Sequence, residues 1–480
     1  MMSLADSQTR ERHAAALCCI LGDKAVLIED ASKAPYEHGA RYDAGSAAIV
    51  LRPVDSHETS LALAYCVAHG LCVVLQSGNT GLVSASTPDG AGTQVVLSLE
   101  RITEPFVLDE ENRSVRVGSG MRLSELNRRL APYGLFFPID LSADPCIGGM
   151  LATNTGGARF LKYGDVRRNV LGLTTVLADE AGTILQLGRG LRKDNTGPDW
   201  RQLFIGSSGS FGAITECWLN VERMPRQAET VILVPATSQA VAGLLLRFEA
   251  ELGGYLTAFE GMSRNAMAAA FGHTPHLRNP FAHGTVPEYA ILAEFTRCWE
   301  PKEDEASLRN LVENTLVRMW DDGSDLLADA LFGSGDDLWA LRHALSEGVQ
   351  KSGKLFAFDL SFPRGQVARF RDCIAEACST SYPEVTICDF GHVGDGGVHL
   401  NMVVPRDHPE LQRHSYEREL RDWVVEIAVS LFKGSFSAEH GVGRTNQRYY
   451  DAYTPEQLKR LAGGFRAATS PNGLGAVRFD

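Results

Sequence analysis

The sequence predicts an α+β protein, and three observations carry that prediction. Apolar strand-like runs alternate with helical runs from about residue 56 to about residue 432. Hydrophobic residues make up 44% of the 480 and charged residues 22%, a globular balance that excludes disorder, collagen and coiled coil. No stretch offers the roughly 18 charge-free apolar residues of a membrane span; residues 60–77 are broken by His69 and Gly70. The length suits about three domains, or two large ones.

The elements follow in chain order. Asp55 and Glu58 form a capping-box pair before a helix at 59–69. A buried strand follows at 71–76, with further strands at 94–99 and 114–120 and a helix at 122–132. Residues 174–187 read as a hairpin with Ala-Gly at its turn, and 213–222 as a closing strand. Polar residues and Pro225 mark a boundary at 223–229. Beyond it come a strand at 230–235, a helix at 237–252, a strand at 288–295 and helices at 304–318 and 337–350. A strand at 355–361, a helix at 364–378, strands at 385–391 and 398–404 and a helix at 411–432 complete the pattern. This second half reads as a sheet covered by helices on one side.

Charge and cysteine usage exclude several functions. The formal net charge is −13, so a nucleic-acid footprint is not expected. The ten cysteines include no Cys-x-x-Cys, which argues against a zinc ribbon or a redox dithiol. They read as small buried hydrophobes in a reducing compartment. Residues 1–22 lack the basic-then-apolar order of a signal peptide, and Asp6 and Glu11 argue against a transit peptide. A cytoplasmic location is the resulting expectation.

Glycine, 47 of 480, is in excess. Neither the dinucleotide pattern G-x-G-x-x-G after a strand nor the P-loop pattern is present. Three other glycine-rich segments are: QSGNTGLVSAS at 76–86, IGGMLATNTGGARFLKYGDV at 147–166 and IGSSGSFGAIT at 205–215. Each offers backbone N–H groups unobstructed by side chains, which suits a diphosphate, and Ser77, Asn79, Thr80, Thr153 and Asn154 add neutral donors. One such segment reads equally as a tight turn; three on one domain favour the ligand.

A second constellation is histidine-based. DFGHVGDGGVHLN at 389–401 sets His392 and His399 seven apart around a glycine turn that could bring both imidazoles to one side. SFSAEHGVGR at 435–444 adds Glu439 and His440. Two imidazoles and a carboxylate suit a divalent metal with open positions, although one histidine alone reads as a core or surface residue. Arg342 on a helix could grip a substrate carboxylate bidentately, or could be a solvated helix arginine. Asp140, after Pro138, fits a turn as well as a ligand role.

At these residues the chain resembles a known family. QSGNTG at 76–81, PIDLSA at 138–143, IGGMLATNTGG at 147–157, RKDNTG at 192–197 and FIGSSGSFGAIT at 204–215 resemble the FAD domain of the vanillyl-alcohol oxidase / p-cresol methylhydroxylase superfamily. GHVGDGGVHLN at 391–401 and SAEHGVG at 437–443 resemble its D-2-hydroxyacid dehydrogenase branch.

The resemblance implies a two-subdomain FAD-binding domain at 36–225 after an N-terminal extension and helix at 1–35. It implies an α+β substrate (cap) domain with an antiparallel sheet at 226–432, and a C-terminal helical segment at 433–480 that packs at the flavin and active site. The FAD contacts would be Ser77, Gly78, Asn79, Thr80, Gly81 and Leu82, then Pro138 and Asp140, then Ile147, Gly148 and Gly149, then Thr153, Asn154, Gly156 and Gly157, and Ile214. A divalent metal, zinc with manganese or iron as alternatives, would be held by His392, His399 and Glu439. His440 matches the catalytic base, Asn401 a substrate contact, and Arg342 the arginine that receives the substrate carboxylate.

The implied reaction is oxidation of a D-2-hydroxy acid to the 2-oxo acid. The metal assists deprotonation of the hydroxyl by the histidine, and hydride passes to flavin N5. The implied partners are the hydroxy acid and an electron acceptor such as an electron-transfer flavoprotein, a quinone or a cytochrome, with a homodimer as the assembly. A flavin oxidase of the same superfamily acting on another substrate class is the alternative. The chain departs from the family pattern at Ser208, Ser346, Gly397 and in SPNGLGAVRF at its C-terminus. Ala357 stands where hydroxyglutarate enzymes carry a substrate-facing lysine, which removes a cation that a dianionic substrate would use.

Overall fold

A computed structural model describes residues 4–40, 44–281 and 284–480. Residues 1–3, the start of the N-terminal extension, lie outside the described residues, as do 41–43 and 282–283. The chain divides into two compact units. The first comprises Met1–Gly156, Asp165–Met224 and Glu439–Asp480; the second comprises Gly157–Gly164 and Pro225–Ala438.

Two sheets organise the first unit. Strands β1 (Val26–Leu27), β2 (Ala47–Leu51), β3 (Val73–Gln76) and β4 (Gln94–Ser98) form one, in the order β1-β2-β4-β3. Strands β2, β4 and β3 run parallel. Parallel strands are buried on both faces, and β2 reads BBBBB without alternation. Helices Ser7–Leu21 and Ser56–Ala68 cover this sheet through Leu17, Leu21, Leu63 and Cys66. The second helix starts where the capping pair places it. Asp55 accepts the Glu58 N–H at 2.8 Å, and Glu58 accepts the Val54 N–H at 3.0 Å.

The second sheet of this unit is antiparallel, with β5 (Phe106–Asp109), β6 (Ser114–Gly118), β8 (Val170–Val176), β9 (Ile184–Leu187) and β10 (Ala213–Asn220) in the order β5-β6-β10-β8-β9. A short ribbon, β7 (Leu135–Phe136) with β11 (Glu222–Arg223), lies beside it in the chain. The expected hairpin is β8–β9, paired Leu173↔Leu187 to Val176↔Ile184, with Gly182 at φ +59 in its turn. Helices Leu123–Leu130 and Ile147–Thr153 pack on this sheet. The C-terminal helix Glu456–Thr469 adds Phe465, edge-on to Phe204 and Phe211.

The second unit holds one large antiparallel sheet. Its strands are β12 (Gln227–Pro235), β13 (Leu256–Ser263), β14 (Tyr289–Arg297), β15 (Leu327–Phe332), β16 (Lys354–Ser361), β17 (Thr386–Ile387), β18 (Phe390–Gly391) and β19 (Gly397–Val404). The order is β15-β12-β14-β13-β18-β19-β16, with β17 also on β19. The expectation of helices on one side is corrected here: both faces are covered. Helices Ala240–Leu252, Leu308–Asp321, Val367–Ser381 and Tyr416–Glu426 bury one face, and Arg264–His273 and Gly335–Ser352 the other. The central strand β14 is buried at every position, so its residues show no alternation that could have reported a covered second face. The sequence reading also missed β13, whose apolar run is interrupted by Glu260.

Candidate active site

In the first unit the three glycine-rich segments converge. The first leaves the carboxyl end of β3, the second opens helix Ile147–Thr153, and the third precedes β10. The Gly148 N–H donates to the Ser119 carbonyl at 2.8 Å, and a Cβ at Gly148 would lie 2.5 Å from Ser119 Cβ. Only glycine permits that approach. The Ser208 N–H donates to the Ala152 carbonyl at 2.7 Å, and Ser208 Oγ to the Val442 carbonyl at 2.8 Å. Arg444 Nη2 donates to the Pro88 carbonyl at 3.0 Å, which ties the C-terminal segment to the first glycine loop.

Four non-glycine residues in these segments hold left-handed backbone: Asn79 at φ +52, Ser84 at +58, Asn154 at +52 and Ser208 at +49. Such residues persist where surrounding contacts over-determine them, commonly at ligand sites. Asn79 is held by its bond to the His38 carbonyl at 2.7 Å, and Asn154 by Asp165 at 2.8 Å. Ser84 Oγ and Ser119 Oγ are buried and have no hydrogen-bond partner among the described residues. Sequence reasoning passed over both, although Ser84 lies within the first segment and Ser119 is flanked by glycines.

The other expected cofactor positions are varied. Ser77, Gly78, Thr80, Gly81 and Leu82 continue the first loop, and Gly149 and Thr153 lie on the helix Ile147–Thr153. Pro138 and Ile214 are buried, Ile214 opposite Thr175 in the sheet, and Asp140 is partly exposed. Gly156 ends the first stretch of the first unit, whereas Gly157, at φ +130, belongs to the second unit. The charge of the cradle is neutral donors and backbone, a setting that holds a diphosphate without lysine.

The second unit gathers its charged groups on one face of the large sheet. Antiparallel register sets Asp359 opposite His399 and Ala357 opposite Asn401. The turn from β18 to β19 closes through N–H bonds from Asp395 and Gly397 to the His392 carbonyl, with Gly396 at φ +98. That turn brings His392 back over His399, Nε2 to Nε2 at 3.3 Å. His392 Nδ1 meets Glu260 Oε1 at 2.8 Å, and His399 Nδ1 lies 3.5 Å from Asp359 Oδ1. His392 is therefore backed by a hydrogen-bonded carboxylate at Nδ1, His399 has the Asp359 carboxylate near its Nδ1, and the two rings face each other through Nε2.

Arg342, buried on helix Gly335–Ser352, reaches the same carboxylate. Its Nε donates to Glu260 Oε2 at 2.9 Å and its Nη2 lies 2.8 Å from that oxygen. Glu260 is 1% exposed. Burial pushes its carboxyl up, but the charges of His392 and Arg342 and their hydrogen bonds outweigh it and hold it at about 2. Asn401 Nδ2 donates to the Cys388 and His399 carbonyls at 3.2 and 3.1 Å, which locks the β17–β19 region around the histidines. Neither Glu260 nor Asp359 was singled out from the sequence. A lone acid in a strand carries no local signal, and only the register shows what faces it.

Glu439 and His440 open the last segment of the first unit, with His440 Nε2 4.0 Å from Glu439 Oε1. The chain arrives there from Ala438, the last residue of the second unit, whose N–H donates to Asp359 Oδ2 at 3.0 Å.

Two family models match the chain: "FAD binding domain" over residues 47–188 and "FAD linked oxidases, C-terminal domain" over 224–474. A mitochondrial D-2-hydroxyglutarate dehydrogenase from Rattus norvegicus is 32% identical over 475 residues, covering 98% of this chain and 84% of that protein. A probable mitochondrial D-2-hydroxyglutarate dehydrogenase from Oryza sativa subsp. japonica is 32% identical over 463 residues, covering 95% and 79%. Among solved structures, p-cresol methylhydroxylase with substrate bound superposes with a TM-score of 0.73 at 14% identity, over 97% of this chain and 95% of that one. That likeness supports the α+β fold class with its antiparallel sheet. The expected cytoplasmic location is overturned, because these relatives are named mitochondrial. Among the described residues no helix is long and apolar enough to cross a membrane.

Proposed function

This chain belongs to the FAD-linked oxidases, on their D-2-hydroxyacid dehydrogenase branch, and we propose that it oxidises a D-2-hydroxy acid to the 2-oxo acid. The observation that carries the proposal is the facing pair His392 and His399, carboxylate-backed and beside the buried Arg342. The site chemistry fits a divalent cation. Two nitrogens about 2.0–2.1 Å from one tetrahedral ion stand about 3.3–3.4 Å apart, and the two Nε2 atoms are 3.3 Å apart. That separation suits zinc, manganese or iron alike. Glu439, which follows the Asp359-anchored Ala438 in the chain, is the proposed third ligand.

The cradle of the first unit fits FAD. The orphaned hydroxyls of Ser84 and Ser119 and the backbone N–H groups of 77–82 supply donors for a diphosphate, with the close-packed turns at 147–149 and 153–156 lining it. When bound, the flavin supplies a hydride acceptor and the cation a Lewis acid that acidifies the substrate hydroxyl. The chain's own residues do the rest. Arg342 receives the substrate carboxylate through Nη1, the amine that makes none of the described bonds to Glu260. Asn401 contacts the substrate through its carbonyl oxygen, its amide being spent on backbone. His440 takes the hydroxyl proton, a role typically worth about 10²–10⁴-fold. The electrons pass on to an electron-transfer flavoprotein, a quinone or a cytochrome.

The test is an anaerobic visible spectrum of the purified protein. D-lactate, D-malate, D-2-hydroxyglutarate and their L-isomers are added in turn. One D-acid is expected to bleach the flavin band. A flavin that every D-acid leaves oxidised, in metal-replete protein, refutes the proposed substrate class.

A further inference from the structure

Among the described residues Glu260 is the one acid in the second unit that touches both halves of the proposed substrate site, and this inference rests on the reading given above. Its strand, β13, is buried at every position, so the carboxylate has no water to turn to. Oε1 is taken by His392 Nδ1 at 2.8 Å and Oε2 by Arg342 at 2.8 and 2.9 Å. Each oxygen therefore serves a different partner.

Two consequences follow from donor and acceptor chemistry. A carboxylate only accepts, so His392 must carry a hydrogen on Nδ1, and Nε2, which faces His399 at 3.3 Å, is the nitrogen left for a cation. The guanidinium is planar, so fixing Nε and Nη2 on one oxygen also fixes where Nη1 points. Neighbouring groups tighten the arrangement. Arg342 lies over the Phe390 ring at 5.0 Å, and Phe390 packs edge-on to His399 with ring centroids 5.6 Å apart.

We propose that Glu260 is a positioning residue that holds the metal-binding nitrogen of His392 and the carboxylate-binding edge of Arg342 in one fixed relation. It touches neither metal nor substrate. Its effect is a shared one: loss of the carboxylate loosens cation binding and hydroxy-acid binding together.

Glu260→Gln tests this. An amide presents one acceptor and one donor, so it can serve Arg342 or the Nδ1–H of His392, and not both. Metal-stripped holoflavoprotein is titrated with zinc against a chromogenic chelator, and KM and kcat are measured separately in zinc-saturated protein. The expected result is zinc affinity lowered about 10–100-fold, the usual effect of losing a carboxylate behind a metal-binding imidazole. KM for the reactive D-acid rises at least tenfold, and the flavin spectrum is unchanged. A wild-type value for either zinc affinity or KM overturns the proposal.

Should the Gln variant fail to fold, Glu260→Asp keeps the charge but is one methylene too short to reach both partners. Loss in both readings supports the proposal, and a wild-type value in either overturns it. If wild-type protein binds no zinc, the proposal falls with the metal site. If wild-type protein binds zinc but no D-acid bleaches its flavin, the substrate reading fails, and the zinc titration of Glu260→Gln still decides the role of Glu260.

Discussion

The two units build their sites by opposite means. The cradle of the first is made of backbone: closely approaching glycines, four left-handed non-glycine residues and orphaned hydroxyls, with neutral donors throughout. The site of the second is made of side chains: buried Glu260, Arg342 and Asp359 with two half-buried histidines on one face of a sheet. A diphosphate already carries its charge and asks only for donors, so backbone suffices. A small hydroxy acid offers few atoms, so selectivity and acid–base work need charged groups fixed in place. Damage should therefore differ in kind. Changes in the first unit should alter flavin content, and changes in the second should alter metal and substrate affinity.

His440→Asn breaks that division most sharply, since His440 belongs to the first unit by packing and to the chemistry by proposal. Turnover should fall by about 10²–10⁴-fold with flavin content unchanged. Stopped-flow reduction of the flavin by the reactive D-acid reads this directly. Near wild-type reduction removes His440 from the proton transfer.

Gly148→Val attacks the cradle alone. Its Cβ would sit 2.5 Å from Ser119 Cβ, and overpacking of this kind typically costs about 1–3 kcal/mol. The helix carrying Ile147–Gly149 must shift to relieve it, so FAD affinity should drop about ten- to a hundredfold. Zinc affinity should stay at the wild-type value. Equal losses of flavin and zinc on this substitution erase the distinction between the two sites.

How much of each site was legible in the sequence follows from the same contrast. The cradle lies in three contiguous segments, and each announces itself by glycine spacing, so Gly148, Asn79 and Ser208 stood inside quoted motifs. The histidine turn was legible for the same reason, since 392–399 is one hairpin. Glu260 and Asp359 were not, because a carboxylate in a buried strand acquires meaning only from partners 132 and 40 residues away in the chain. The covered second face of the large sheet was hidden similarly: a strand buried on both sides, such as β14, looks like any apolar run.

Ala357→Lys sharpens the comparison within the second unit. Ala357 pairs with Asn401 and lies one position along the same strand face from Asp359. A lysine there adds a cation where a second carboxylate would be recognised. The ratio of kcat/KM for D-2-hydroxyglutarate to that for D-lactate should rise about tenfold, the value of one partly exposed charge pair. An unchanged or lowered ratio shows that the distal end of the substrate lies elsewhere.

The smallest effect concerns the cysteines, which report each site separately. Cys146 immediately precedes the helix Ile147–Thr153 in the cradle, and its thiol is pushed up by burial, with Ser77 opposing. Cys388 lies four residues before His392, and burial pushes its thiol up to about 12. Both side chains are buried, so at pH 8 alkylation requires local opening as well as ionisation. The exposed Cys19 and Cys72 should react at once and serve as internal standards. A ligand that binds the closed form slows opening-limited labelling by a factor set by its concentration over Kd. FAD should therefore slow labelling of Cys146, and zinc that of Cys388, each by a few-fold at modest excess. Mass-spectrometric time courses distinguish the two peptides. If FAD protects Cys388 as strongly as Cys146, the two sites stabilise the chain as one cooperative body, and the separate failure modes assigned to cradle and charged site do not exist.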